Sequence, residues 1–498
     1  MNVNPITRLD YPDPDVIRVE DTYYMVSTTM HFMPGCEILQ SFDLVHWEHA
    51  TYVYETLDHT DAQQLKSGQN IYGQGMWAAS LRYHEGRFYI CFVANDTRKT
   101  YLYTSEKIDG PWKKQLIEGF YHDGSLLFDE DGRNYIVYGN DEIWITELNE
   151  DLTAPKKDGL HRLLVSDHKN PELGYEGSHI QKINGYYYIF LIHSLRDRWM
   201  RTEACFYSDS LEGEFTGGDV LCDDRGYCGQ GVAQGGIVDT PDGKWYAMLF
   251  QDSGAVGRIP ILVPVTWKDH FPFFGQNGHV PEEIEVHSTR PEYIYQPLVG
   301  SDDFCNGLLP RWQFNHDPDP RYYHLDALQG TYTITTREVC TELTHAVNTL
   351  TQRMSYPSCA AEVTVDASAL KEGDVAGLCA LQGCYAAVGI TKHHGKYEVL
   401  MLDKKEDGIL DMTERTVVES HQMDFRLEAD FCNMKDEARC YYRVNKGDWL
   451  PIGTVHKLYF KLDHFTGCRF GLFCYAAEET GGSACFRDFK YYDVDEIS

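Results

Sequence analysis

Glu176, in Tyr175-Glu176-Gly177-Ser178-His179, is a carboxylate at the head of an apolar and aromatic run. A charge there is costly unless it has a partner or a task. Its position recurs. Counting eight residues back from a turn gives Glu176 before Asn184-Gly185, Asp123 before Asp131-Gly132, Trp77 before Glu85-Gly86 and Gln234 before Asp242-Gly243. The first copy, Glu20-Asp21, gives Pro12, with Asp13 one residue off. Carboxylates, an aromatic ring and an amide thus hold matched places. Carboxylates gathered at one point can give and take protons.

The turns are hairpin signals, since Asn-Gly and Asp-Gly supply the positive φ that both central residues need. Apolar runs follow them, such as Met25-Val26, Ile90-Cys91-Phe92-Val93 and Ile136-Val137-Tyr138. Five copies, roughly fifty to sixty residues apart, predict a propeller of five four-stranded blades. Innermost strands of a propeller line its channel, so the matched positions should converge on one mouth.

The chain has 498 residues, enough for more than one domain. Its 34 Tyr, 23 Phe and 9 Trp suit β-architecture and sugar stacking alike. A net charge of −32 would repel nucleic acid and anionic membranes, so neither is expected as a partner. No run approaches a membrane span, and Met1-Asn2-Val3-Asn4-Pro5-Ile6 has no export-signal pattern, which predicts a cytoplasmic protein. The 15 cysteines are scattered without a C-x-x-C pair, which predicts reduced thiols. His122, His179 and His193 lack metal-ligand spacing, and no metal is expected.

After the linker Arg290-Pro291-Glu292-Tyr293-Ile294-Tyr295-Gln296-Pro297 a second set of alternating strands begins, for example Cys359–Val365 and Arg469–Tyr475. The expected class is all-β, with a five-bladed propeller over 1–297 and a β-sandwich over 298–498.

Asn4-Pro5, Tyr11-Pro12-Asp13-Pro14, Met76-Trp77-Ala78-Ala79, Asp123-Gly124-Ser125-Leu126, Tyr175-Glu176-Gly177-Ser178-His179, Gly257-Arg258-Ile259-Pro260 and Pro264-Val265-Thr266-Trp267 follow one another in order. Together they resemble family 43 of the glycoside hydrolases, over roughly residues 4–290. The second half resembles the lectin-like, jelly-roll domain attached to its β-xylosidase-type members.

The resemblance implies Asp13 as general base, Glu176 as general acid and Asp123 as the carboxylate that orients the acid. A charge at Asp123 would also disfavour ionisation of Glu176. Trp77 and Phe32 are implied as pocket walls, Arg258 as a sugar ligand and Phe465 as a ring lent by the second domain. Many members carry a channel histidine where this chain has Gln234; a calcium site is therefore not carried over, Gln234 becomes a neutral hydrogen-bonding group, and no cofactor is required. The implied activity is exo-acting, inverting release of terminal pentose from short oligosaccharides, as a β-1,4-xylosidase or α-L-arabinofuranosidase. A glycoside phosphorylase and a non-catalytic sugar-binding propeller are the alternatives. Nothing in the sequence decides oligomeric state, and a homo-oligomer is compatible with it.

Overall fold

The computed structural model describes residues 3–493, and within them almost every regular element is a strand. Five antiparallel four-stranded sheets come first, each a meander in chain order. The first blade runs from Asp15–Val19 to Glu48–Tyr54, and the second from Met76–His84 to Lys113–Ile117. The third runs from Ser125–Phe128 to His161–Ser166, the fourth from Glu176–Ile183 to Thr216–Leu221, and the fifth from Ile237–Asp239 to Phe271–Phe274. The hairpins expected from the turn residues are all present, with Asn184 and Gly185 both at positive φ.

Apolar side chains fill the gaps between neighbouring blades. Leu81, Ile90 and Phe92 of the second blade pack on Val26 and Ile38 of the first. Ile180 and Ile189 of the fourth pack on Val137 and Ile145 of the third. The ring closes where the fifth blade meets the first, around Val16, Met25, Met248 and Leu262. The N-terminal segment seals that junction. Asn4 exchanges two hydrogen bonds of 2.9 Å with the Leu262 backbone, and the Tyr11 N–H donates to the Arg258 carbonyl at 3.0 Å.

Two larger antiparallel sheets of eight and seven strands form the sandwich, with Trp312, Phe425, Leu427 and Phe486 in its core. The eight-stranded sheet does not belong wholly to the second half of the chain. Its edge strand is Phe32–Met33, from the first blade's loop, paired to Gln313–Asn315. Beside it Arg353 donates to the Asp10 carbonyl at 2.8 Å, lies 2.8 Å from Glu37 Oε2 and stacks 4.1 Å from the Tyr11 ring centre. The two halves are thus joined by backbone pairing and a buried ion pair.

Where that seam meets the loop before the second blade, His31, His316 and His464 pack around Tyr72. The His464 ring stacks on Tyr72 at 3.9 Å, with His316 at 4.5 Å and His31 at 4.7 Å. The Ile71 N–H donates to His316 Nε2 at 3.0 Å, so that nitrogen carries a lone pair. All three imidazoles are buried, and burial pushes their pKa values down. Charge from Arg469 on His31, and from His345 on His316, pushes the same way, while Asp463 opposes at His464. An unfolded chain takes up these protons near about pH 6.5, which the folded cluster resists, so the cluster's contribution to stability is lost as pH falls below that value. Replacing His464 by Phe keeps a ring on Tyr72 and removes one titrating group. Going from about pH 7 to about pH 5, the melting temperature of His464→Phe should rise relative to the unmodified protein, by the equivalent of roughly 1–3 kcal/mol. A difference that does not change with pH would show that His464 is not held neutral.

Candidate active site

The inner strands begin at one end of the channel, and their heads share an unusual backbone. Asp13, Asp123 and Gln234 have φ of 53°, 47° and 63°, and Gly177, after Glu176, has 63°. Left-handed backbone is uncommon outside glycine, and Asp and Asn types tolerate it best. Ladder irregularities fall at the heads of the second and fourth blades, between Met76 and Ala79 and between Glu176 and His179. Such bulges re-aim side chains.

Asp13 is buried, with one oxygen accepting from Thr28 Oγ1 at 2.7 Å and the other 2.9 Å from Arg258 Nη1. Asp123 is buried too, and accepts from the Gly177 N–H at 3.1 Å. Glu176, with 21% of its side chain exposed against 7% for Asp13, accepts from Asn140 Nδ2 at 2.6 Å. His122 Nε2 lies 3.5 Å from both Asp123 and Glu176. The charge of Asp123, reinforced by Glu176, raises the His122 pKa to about 9 against the opposing effect of burial. Burial raises the carboxyl of Asp123, with Glu176 and Asp13 adding and His122 opposing.

The structure brings Trp77, Arg258 and Phe465 to these acids. The Trp77 and Phe465 rings lie 5.5 Å apart, and the Arg258 guanidinium is 4.2 Å from the centre of Phe465. Gln234 is buried against the site's backbone, so close that a Cβ on Gly177 would meet its Cδ at 2.6 Å. Phe32 is elsewhere. Its pairing with Asn315 carries it into the seam, where Arg469 lies 3.4 Å from its ring centre. At 2% exposure it offers no wall to a sugar.

Three further side chains were not assigned to the site from the sequence, where His122 was weighed only as a metal ligand. Asn140 ends a second strand at the mouth, and His122 precedes Asp123. Arg201 heads the third strand of the fourth blade, 2.7 Å from Asp252, whose other oxygen is 3.5 Å from Arg258 Nε. For Arg201 the available signal was a charged residue at the mouth end of an outer strand.

A propeller with acids from three blades at one mouth, walled by aromatic rings and arginine, is the architecture of a glycoside hydrolase. The chain belongs to glycosyl hydrolases family 43, whose model matches residues 3–272, and a β-xylosidase C-terminal concanavalin A-like domain matches 301–492. It is 42% identical to a bifunctional GH43-CE protein of Bacteroides eggerthii, with a TM-score of 0.92 over 99% of this chain, and spans 64% of that protein. A β-xylosidase of Formosa agariphila is 27% identical over 99% of this chain and 89% of its own length. A non-reducing end α-L-arabinofuranosidase of Bacteroides ovatus is 26% identical over 66% of this chain and 63% of its own.

A calcium in the channel would need six to eight oxygen ligands, by the general rule for that ion. Here Arg82 has taken the oxygens. It donates to Asp15 Oδ2 and Ser125 Oγ at 2.7 Å, to the Leu126 carbonyl at 2.9 Å and to the Ile180 carbonyl at 3.1 Å. Burial pushes Asp15 up, but Arg82 and His179 outweigh it and hold the carboxyl below its ordinary range. At the mouth, His122, Asp123 and Glu176 present ligand atoms within 4.8 Å of one another. The channel axis, filled by Arg82, therefore does not fit a resident calcium. Chelation with EDTA should leave melting temperature and activity unchanged, whereas Arg82→Met should lower stability by about 3–5 kcal/mol by stranding Asp15. A fall in melting temperature on chelation would show that a metal is present.

Proposed function

We propose that the enzyme removes one terminal pentose, xylose or arabinose, from short oligosaccharides with inversion at the anomeric carbon. The observation that carries this is the division of partners among the acids. Asp13 is held by Thr28 and Arg258, and Glu176 by Asn140 and His122, so the two share no partner. We read the two as the facing pair that inversion requires, with a sugar and a water between them.

Asp13 takes a proton from water as its oxygen bonds to the anomeric carbon. The glycosidic bond breaks on the opposite face, and Glu176, in its acid form, protonates the departing oxygen. Asp123 positions Glu176 by holding the next backbone N–H. Trp77 and Phe465 give the sugar an apolar face, and Arg258 fixes Asp13. Because Phe465 comes from the sandwich, the mouth is closed on that side, which favours attack at a chain end. The activities of the relatives, β-xylosidase and arabinofuranosidase, support a pentose. A phosphorylase would need a free cationic site, but Arg201 and Arg258 are already paired with Asp252 and Asp13.

Nitrophenyl β-xyloside and α-arabinofuranoside distinguish the two sugars. Glu176→Gln should slow hydrolysis of oligosaccharides by several orders of magnitude and of activated aryl glycosides much less, because their leaving oxygen needs little protonation. Equal losses on both would remove Glu176 from the acid role. Proton NMR of the first product should show the anomer opposite to the substrate's; retained configuration would remove Asp13 as base.

A further inference from the structure

The sandwich covers one side of the mouth, where Phe460 and Phe465 approach Arg258. On the fourth blade lies the turn between Tyr186–Ser194 and Arg201–Ser208. It belongs to the mouth, because Glu176 pairs with Ile192 and Ser194 with Arg201 in the same ladder. The turn is tied down: the Leu195 N–H donates to the Met200 carbonyl at 3.1 Å, and the Met200 N–H to Ser194 Oγ at 2.7 Å. At its tip is Trp199, 46% exposed.

An indole left this open needs a reason. One side of Trp199 rests on Arg201, whose guanidinium is 5.4 Å from the ring centre and 5.2 Å from that of Phe250. Arg201 is itself nine-tenths buried and fixed by Asp252. Its Nε donates to nothing among the described residues. Its charge reaches Glu176 and Asp13. A rigid, outward-facing ring and a spare buried donor therefore stand side by side at the mouth, next to the acid that protonates the leaving oxygen.

We propose that Trp199 is the stacking platform for the sugar on the leaving side of the scissile bond, with Arg201 supplying a hydrogen bond to one of its oxygens. The ligand class is a neutral pentose unit beyond the terminal one, presenting its apolar face to the indole. This rests on the hydrolytic reading above. It makes Trp199 a specificity-determining residue, separate from the groups that hold the terminal sugar.

Affinity measured by calorimetry in the full-length Glu176→Gln protein tests it, with xylose, arabinose, xylobiose and arabinobiose as ligands. Adding Trp199→Ala should weaken the better-bound disaccharide about tenfold and leave its monosaccharide unchanged. Trp199→Phe should recover most of the loss, and melting temperature should not move. Equal weakening of mono- and disaccharide, with a lower melting temperature, would make Trp199 only a prop for Arg201 and overturn the proposal. Unchanged disaccharide affinity would overturn it too, as would no binding of either disaccharide. Disaccharide binding without turnover by the unmodified enzyme would instead strike the hydrolytic reading, while the Trp199 comparison would still be decided by the affinities.

Discussion

Asp10 holds the two halves of the site in one grip. One carboxylate oxygen accepts the Arg258 N–H and the other the Gly467 N–H, each at 2.8 Å. Burial raises this carboxyl, and those two backbone donors oppose the rise. Both neighbours must come very close. A Cβ on Gly257 would meet Asp10 Oδ1 at 2.3 Å, and one on Gly467 would meet the Asp10 side chain at 2.7 Å. Gly257 precedes the arginine on Asp13, Gly467 follows the turn that carries Phe465, and Asp13 is three residues beyond Asp10. Asp13, Arg258 and Phe465 are thus set against one another by a residue that is itself buried. Losing it would strand buried backbone donors in both halves, a penalty larger than a surface hydrogen bond is worth.

The seam follows from the same constraint. Arg353 and Arg469 are buried between propeller and sandwich, and an unpaired guanidinium there would not be tolerated. Glu37 answers Arg353, and burial notwithstanding, that arginine and His49 hold the Glu37 carboxyl down at about 2. Arg469 is paired less well: it bonds Gln313, stacks on Phe32, and is lowered by burial and by Arg353 to about 9. Phe32 is drawn into the seam as the apolar face for this weakly paired cation.

That explains which residues could be read in the chain. The blades were legible because strand alternation and hairpin turns are local and repeat. Asp13, Asp123, Glu176 and Trp77 were legible because they hold matched places in the repeat, which the propeller turns into proximity. Phe32 was misplaced because its environment comes from Gln313–Asn315 and Arg469, hundreds of residues away. Arg201 and Asn140 lie on outer strands, where the repeat of inner-strand heads does not reach. Arg82 was not singled out in the sequence. Only the closed ring shows it to be a cation at the axis, in contact with the first, third and fourth blades.

The chain's large negative charge conceals how its positive groups are used. Around the channel several carboxylates have a cation beside them: Arg82 on Asp15, Arg258 on Asp13, Arg201 on Asp252 and His122 near Asp123. In a low-dielectric interior such pairing is what allows several acids to share one mouth. Glu176 differs from the rest. Its close contact is a neutral amide, its histidine neighbour is 3.5 Å away and shared with Asp123, and its side chain is the more open to solvent. The two carboxylates that exchange protons in the proposed reaction are thus held in different ways, Asp13 by a guanidinium and a hydroxyl, Glu176 by an amide.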